Sequence, residues 1–332
     1  MPDQKPPVLL GTLNNPIPED ASTGWFTSRD GTRLRYGLFG ANMRPARGTV
    51  CVFEGRGEFI EKYFEVIQDL RDRNFVVCIF DWRGQGASDR QLKNRYKGHV
   101  DHFACFDDDL VSFMEAVVMP DCPPPYFALA QSMGANIVLR ALDKRTWFSR
   151  VVALCPMVQL MPRQVPWPLV RMVADLFCLL GMSTLHVPGG NDLPAEMSPF
   201  KSNRQTSDSA RYQRTAELYK VNRKLGIGDP TIGWVAAAFQ AMAELRNMHF
   251  PSPLKSPVLI LAGGQDRVVS SKAIHRLGQK MPTSREITID GARHELLMER
   301  DEFREQFWAA FDAFVPGTPE MIQPARVSSA AE

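Results

Sequence analysis

The sequence predicts an α/β fold: a mostly parallel central sheet with helices on both faces, interrupted by one helical insertion. Three observations carry this. Short, nearly continuous apolar runs recur at 48–53, 75–80, 126–130, 151–155 and 258–262, the pattern of strands buried on both faces. Segments with apolar residues at helical spacing separate them, and strands alternating with such helices imply a parallel sheet. The alternation stops from about Met157 to Pro230 and then resumes.

Taken in order, residues 1–22 are rich in proline and polar residues and are expected to form a flexible surface segment. Trp25–Thr27 and Leu34–Phe39 flank Asp30-Gly31, a hairpin signal. The strand 48–53 runs into Glu54-Gly55-Arg56-Gly57-Glu58, and Ile60, Tyr63, Phe64, Ile67 and Leu70 then mark one face of a helix. The strand 75–80 leads into Asp81-Trp-Arg-Gly-Gln-Gly-Ala-Ser88. We read this as a structural turn, because a dinucleotide motif would need a third glycine leading into a helix. Phe103, Phe106, Leu110, Phe113 and Val117 define a second amphipathic helix. Its Asp107, Asp108 and Asp109 point in different directions, which favours solvated or capping carboxylates over a metal site. The strand 126–130 follows Pro123-Pro-Pro125, and Ile137, Val138 and Leu142 return to helical spacing.

Beyond the strand 151–155 the pattern changes. Val165 to Met182 is apolar and aromatic, with only Arg171 and Asp175 charged, whereas 183–230 is polar and loop-rich. We expect a cap of short helices over the carboxyl edge of the sheet. A helix at 231–246, the strand 258–262, a helix at 271–279, the strand 285–289 and a helix carrying Phe303, Phe307, Phe311 and Phe314 complete the series.

The totals exclude several classes. With 39 Lys+Arg against 37 Asp+Glu in 332 residues, the net charge of +2 gives no electrostatic argument for a nucleic-acid partner. Cysteines 51, 78, 105, 122, 155 and 178 show neither metal-ligand spacing nor a Cys-x-x-Cys, so reduced structural thiols in a cytoplasmic protein are expected. The N-terminus lacks a secretory pattern, and no apolar run is long enough to span a bilayer.

Chemistry concentrates at strand ends. Ser132 follows the strand 126–130 by one residue and opens a helix, with the small residues Ala130 and Gly134 two positions to either side. A nucleophilic serine on a sharp strand-to-helix turn has this form. The pattern alone arises by accident in roughly one chain in five of this length. A serine hydroxyl also needs a base, and the base needs an orienting carboxylate. The strand 258–262 runs out into Gly263-Gly264-Gln265-Asp266, and the strand 285–289 into Asp290-Gly291-Ala292-Arg293-His294. Parallel strands end at one edge, so Asp266 and His294 should arrive beside Ser132. Asp290 is the competing acid. Acyl transfer further requires backbone donors for an oxyanion. Met133 follows the serine, and Arg56 sits between two glycines that let the loop curl inward.

These segments together resemble the lysophospholipase and monoacylglycerol lipase branch of the α/β-hydrolases. They are Glu54–Glu58, Asp81–Ser88, Gln131-Ser-Met-Gly134, Gly233-Trp234, Gly263-Gly-Gln-Asp-Arg-Val268 and Gly291-Ala-Arg-His-Glu295. Composition and pattern bound the flexible ends at 1–22 and 316–332 and the insertion, read as a cap, at 157–230; to the remaining 23–156 and 231–315 the resemblance assigns an α/β-hydrolase core. It implies Ser132 as nucleophile, Asp266 as orienting acid, His294 as base, and Arg56 and Met133 as oxyanion-hole donors. Members usually carry His-Gly where this chain has Glu54-Gly55, and Gly-His where it has Ala130-Gln131.

The expected activity is serine carboxylester hydrolysis of a lysophospholipid or monoacylglycerol, with no cofactor, no metal, no nucleic acid and no inferred protein partner. The cap is the suspected substrate-binding region and a possible point of transient contact with a membrane surface. Arg56 or Arg163 could meet a phosphate head group. The alternatives are an aminopeptidase, for which Glu54, Glu58 or Glu196 could bind an amine, an acyltransferase, or a non-catalytic binding module.

Overall fold

The computed structural model describes residues 6–43, 45–161, 166–250 and 255–316. Eight strands form one sheet in the order β1-β2-β4-β3-β5-β6-β7-β8. They are β1 (Ala21–Thr27), β2 (Arg33–Phe39), β3 (Thr49–Phe53), β4 (Val76–Phe80), β5 (Tyr126–Gln131), β6 (Phe148–Leu154), β7 (Val258–Gly263) and β8 (Ser284–Ile289). The pairs β1–β2 and β2–β4 are antiparallel, and every pair from β4 through β8 is parallel. This is the mostly parallel, helix-covered sheet expected from the alternation.

Every residue of β3, β4 and β7 is buried, so the centre of the sheet is covered on both faces, and the continuous apolar runs follow from that. The helices are α1 (Phe64–Asp72), α2 (Ala104–Phe113), α3 (Met119–Asp121), α4 (Ser132–Ala141), α5 (Trp167–Leu179), α6 (Ser209–Val221), α7 (Ile232–Asn247), α8 (Ser271–Lys280) and α9 (Asp301–Phe314). A π-helical turn, Met114–Val118, joins α2 to α3. Helix α4 packs on β3, β5 and β6 with α2 and α7 beside it. Its buried Ile137, Val138 and Leu139 each contribute about 1.5–3 kcal/mol of apolar burial. Between β6 and α7 the described residues form α5, α6 and short 3-10 turns, with no strand.

Strand order places the site. From β3 the chain steps to β4 on one side and later returns to β5 on the other. The loops leaving β3 and β5 therefore splay apart at a topological switch point, where open α/β sheets form their binding crevice.

Two expectations are corrected. Residues 6–20 are not a free segment: Leu9 is buried, and Asn15 donates from Nδ2 to the Glu61 carbonyl at 2.8 Å. The three aspartates of α2 are not simply solvated. Asp109 is buried and takes the Arg83 guanidinium at 2.6 and 2.8 Å, Asp107 pairs with Arg140, and Asp108 pairs with Arg29. The turn 81–88 folds against α2 and supplies the cation that the sequence pattern could not assign. Arg163, Val165 and the tail beyond Pro316 (residues 317–332) lie outside the described residues.

Candidate active site

The turn from β5 into α4 puts Ser132 in the left-handed region, with φ of 51°, a conformation that costs a non-glycine residue about 1–3 kcal/mol. Neighbouring contacts hold it there. The Met157 amide donates to the Ser132 carbonyl at 3.0 Å, and Asn136 Nδ2 donates to the Met157 carbonyl at 2.8 Å. At Gly134 a Cβ would stand 2.5 Å from the backbone oxygens of both Phe53 and Glu54. The glycine is what lets α4 lie against the end of β3, which brings the serine beside the loop that β3 feeds.

Asp266 and His294 arrive at the same edge from the ends of β7 and β8. His294 Nε2 lies 2.9 Å from Ser132 Oγ, and its Nδ1 lies 2.7 Å from Asp266 Oδ2. Asp266 Oδ1 accepts the backbone N–H groups of Val268 and Val269 at 2.7 and 2.9 Å. Gln131 donates from Nε2 to the His294 carbonyl at 3.0 Å, which ties the serine turn to the histidine loop. Asp290, the competing acid, is exposed and the ring faces Asp266 instead.

Burial disfavours charge on both partners of the dyad, and their mutual attraction and hydrogen bond outweigh it. Asp266 is held below the usual carboxylate range, and His294 is raised above the ordinary imidazole value of 6.5. A base must be neutral to accept a proton, so kcat/KM should fall as pH drops through a midpoint above 6.5. Asp266→Asn removes the charge that raises the ring and should move that limb to lower pH. A pH–rate profile of both proteins checks the sign; an unmoved limb assigns the titration to another group.

The loop after β3 is pinned from two sides. Glu58 Oε2 accepts the Gly55 amide, Gln85 Oε1 accepts the Gly57 amide at 2.9 Å, and Gln85 Nε2 donates to the Gly55 carbonyl at 3.0 Å. Among the described residues the intervening Arg56 amide has no acceptor. Met133, at the first turn of α4, also lies where helix amides lack intrahelical acceptors. The Arg56 side chain turns away from the loop: Nη2 donates to the Gly228 carbonyl at 2.8 Å, and the guanidinium lies over Trp234 at 5.0 Å.

A cavity of about 350 Å³ lies beside these groups, lined among others by Arg56, Glu295, Val268, Glu196, Tyr212 and Asp229. Behind it sits Lys62, whose Nζ contacts Glu295 at 2.8 Å, Glu58 at 2.9 Å and Glu196 at 3.3 Å. Glu54, where the resemblance places histidine, is fully buried. Burial, with Asp81 and Glu58 nearby, pushes its carboxyl well above the usual range, toward the neutral form.

Gln85, Gln131 and Lys62 were not foreseen from the sequence, nor was Cys155. Its sulfur and ligand atoms of Asp266 and His294 lie within 4.8 Å of one another, and burial pushes the thiol up so that it stays protonated. Gln131 and Gln85 sit inside motifs quoted for the resemblance, the one signal that could have singled them out. His99, buried, bonds Thr231 Oγ1 at 2.7 Å, and His186 bonds Asp192 at 2.8 Å; neither joins the site.

Residues 44–301 match the model of a protein family described as serine aminopeptidase, S33. Lysophospholipase L2 of Escherichia coli K12 is 30% identical over 293 residues, spanning 84% of this chain and 83% of that protein. Monoglyceride lipase of Rattus norvegicus is 25% identical over 272 residues, spanning 80% and 82%. A soluble variant of monoglyceride lipase from Saccharomyces cerevisiae, solved with a substrate analog, superposes with a TM-score of 0.66 at 19% identity, covering 88% of this chain and 94% of that one. With the strand order and the match over 44–301 in agreement, the chain belongs to the serine aminopeptidase S33 family of α/β-hydrolases, in the branch that also holds lysophospholipase L2 and monoglyceride lipase.

Proposed function

We propose that the protein is a serine carboxylester hydrolase that cleaves the acyl ester of a lysophospholipid or monoacylglycerol. The observation that carries this is the continuous hydrogen-bonded chain from Ser132 Oγ through His294 to Asp266, at 2.9 and 2.7 Å. Ser132 Oγ attacks the ester carbonyl while His294 Nε2 takes its proton, and Asp266 stabilises the imidazolium that results. Negative charge on the carbonyl oxygen is met by the Arg56 and Met133 amides. Collapse expels the alcohol, which receives the proton from Nε2. Water, deprotonated by the same nitrogen, then releases the fatty acid and restores Ser132.

Ester hydrolysis agrees with the named activities of the lysophospholipase and lipase relatives. The lipid part of the reading rests also on the segment we take as the cap, 157–230. Helix α5 buries only Ala174 and leaves Leu169, Met172, Leu176 and Leu179 exposed, followed by the exposed Leu180. Such a face suits an acyl chain or a lipid surface. No helix of the described residues is long and apolar enough to cross a membrane, so contact would be at the surface.

The family description favours a second reading, an aminopeptidase. That reaction needs carboxylates free to bind a substrate ammonium. Glu58 and Glu196 already share the ammonium of Lys62, and Glu54 is enclosed and held toward its neutral form, which argues for the ester. The test is a panel of lysophospholipids, monoacylglycerols, short p-nitrophenyl esters and aminoacyl amides with the wild-type enzyme. The expected result is turnover of esters, highest for single-chain lipids. Turnover of aminoacyl amides without turnover of any lysolipid or monoacylglycerol overturns the reading.

A further inference from the structure

We propose that Lys62 is a positioning residue for this site, a role that rests on the serine mechanism above. Its ammonium fixes the oxyanion loop, the histidine loop and the insertion relative to one another. Lys62 lies in the 3-10 turn Ile60–Tyr63, and its side chain is 2% exposed. Its ammonium donates to Glu196 and Glu295 and pairs with Glu58 at 2.9 Å, so it meets carboxylates from three parts of the chain.

Glu58 ends the oxyanion loop. Its Oε1 takes Lys62, while Oε2 accepts the Gly55 amide and the Tyr63 hydroxyl, the latter at 2.7 Å. Glu295 directly follows His294, and its own amide donates to the Gln205 carbonyl at 2.8 Å. Glu196 lies in the 3-10 turn Ala195–Met197 of the insertion. The second oxygens of Glu196 and Glu295 have no partner among the described residues, and both residues line the cavity beside the site. Lys62 is thus the common counterion of these carboxylates.

The consequence is mechanical. Without the ammonium, three buried carboxylates face one another with no cation between them and must separate or take up protons. Separation pulls Glu58 from the Gly55 amide, which frees the loop that presents the Arg56 amide. It also shifts Glu295 and with it the adjacent His294. The attacking geometry and the oxyanion donors are then lost together, while the apolar surfaces that receive an acyl chain are untouched. Lys62 touches no reacting atom in this account. It acts through Glu58 and Glu295, so the effect belongs in kcat and not in KM.

The experiment measures kcat and KM on p-nitrophenyl butyrate for Lys62→Met, Lys62→Arg and Glu295→Gln. Each rate is expressed per serine titrated to completion by a fluorophosphonate, and thermal midpoints are recorded in parallel. Lys62→Met should lose about 10²-fold in kcat per titrated serine, as a displacement of catalytic groups by an ångström does. Its KM should stay within about threefold, since uniform binding is intact. Lys62→Arg keeps the charge and should recover about tenfold of the loss, and Glu295→Gln should lose about tenfold.

A lysine that served folding alone would lower the midpoint and the number of titratable serines but leave the rate per titrated serine unchanged. That result overturns the proposal. If Lys62→Met does not fold, Glu295→Gln decides: a rate per serine within about twofold of wild type overturns the role. Inactive Ser132→Ala with unaffected Lys62 and Glu295 variants removes this proposal alone. Active Ser132→Ala removes the serine mechanism itself.

Discussion

Ser132→Ala is expected to lower kcat on a short p-nitrophenyl ester by about 10⁴–10⁶-fold, with the fold intact. The residue is partly exposed at a turn whose backbone is fixed by Met157 and Gly134, so alanine removes the oxygen without opening a cavity. Asp266→Asn should be nearly as severe, at about 10⁴-fold, and its reason is visible in the two carboxylate oxygens. Oδ1 accepts two backbone N–H groups, from Val268 and Val269, whereas Oδ2 accepts from the ring. In asparagine the carbonyl oxygen must occupy the Oδ1 position, where two donors point, so the NH2 group faces His294 Nδ1. The ring then carries its proton on Nε2 and cannot accept one from Ser132. Steady-state kinetics with fluorophosphonate labelling of both variants checks this. An Asp266→Asn enzyme within tenfold of wild type would show that the carboxylate does not set the tautomer.

Ser132, Asp266 and His294 could be brought together from sequence because each is the product of local patterns. A continuous apolar run marks a parallel strand, parallel strands end at one edge, and the residues one to five positions beyond each run are delivered there. The alternation of strands and helices made the fold legible for the same reason. What lies beneath the site was not legible. Lys62 meets Glu196 and Glu295 across 134 and 233 residues of chain, and no spacing rule links an ammonium to carboxylates at such separations. Asp109 was misread because its partner, Arg83, sits on a turn whose docking against α2 has no periodic signature. The N-terminal segment was misread because composition does not show that the Asn15 amide will be used by a buried carbonyl of Glu61. Buried polar contacts between distant segments form the part of the structure that one sequence conceals.

The largest stability effect should come from Arg35→Met, at about 3–5 kcal/mol, the usual cost of stranding buried charges. Arg35, on β2, is 1% exposed at its side chain. Its Nε meets Asp81 Oδ2 at 2.6 Å, and Nη1 and Nη2 meet the two oxygens of Glu61 at 2.7 Å each. Both carboxylates are fully buried, so methionine fills the space but leaves two negative groups without a counterion. The damage should reach the site. Asp81 also accepts the amides of Ile60 and Ala87 at 3.0 and 2.7 Å, and a Cβ at Gly86 would overlap its carboxyl. The turn 81–88 is therefore wrapped around this one side chain, and Gln85 on that turn holds the loop after β3. Domains of a few hundred residues shift by about 2–4 °C per kcal/mol, which places the expected fall in melting midpoint near 10 °C. Scanning calorimetry of Arg35→Met against Arg35→Met/Glu61→Gln isolates the cause, with Asp81 left in place because both its oxygens accept backbone amides. Neutralising Glu61, which meets two of the guanidinium nitrogens, should recover part of the loss; a double variant no more stable than Arg35→Met would place the cost in packing instead of uncompensated charge.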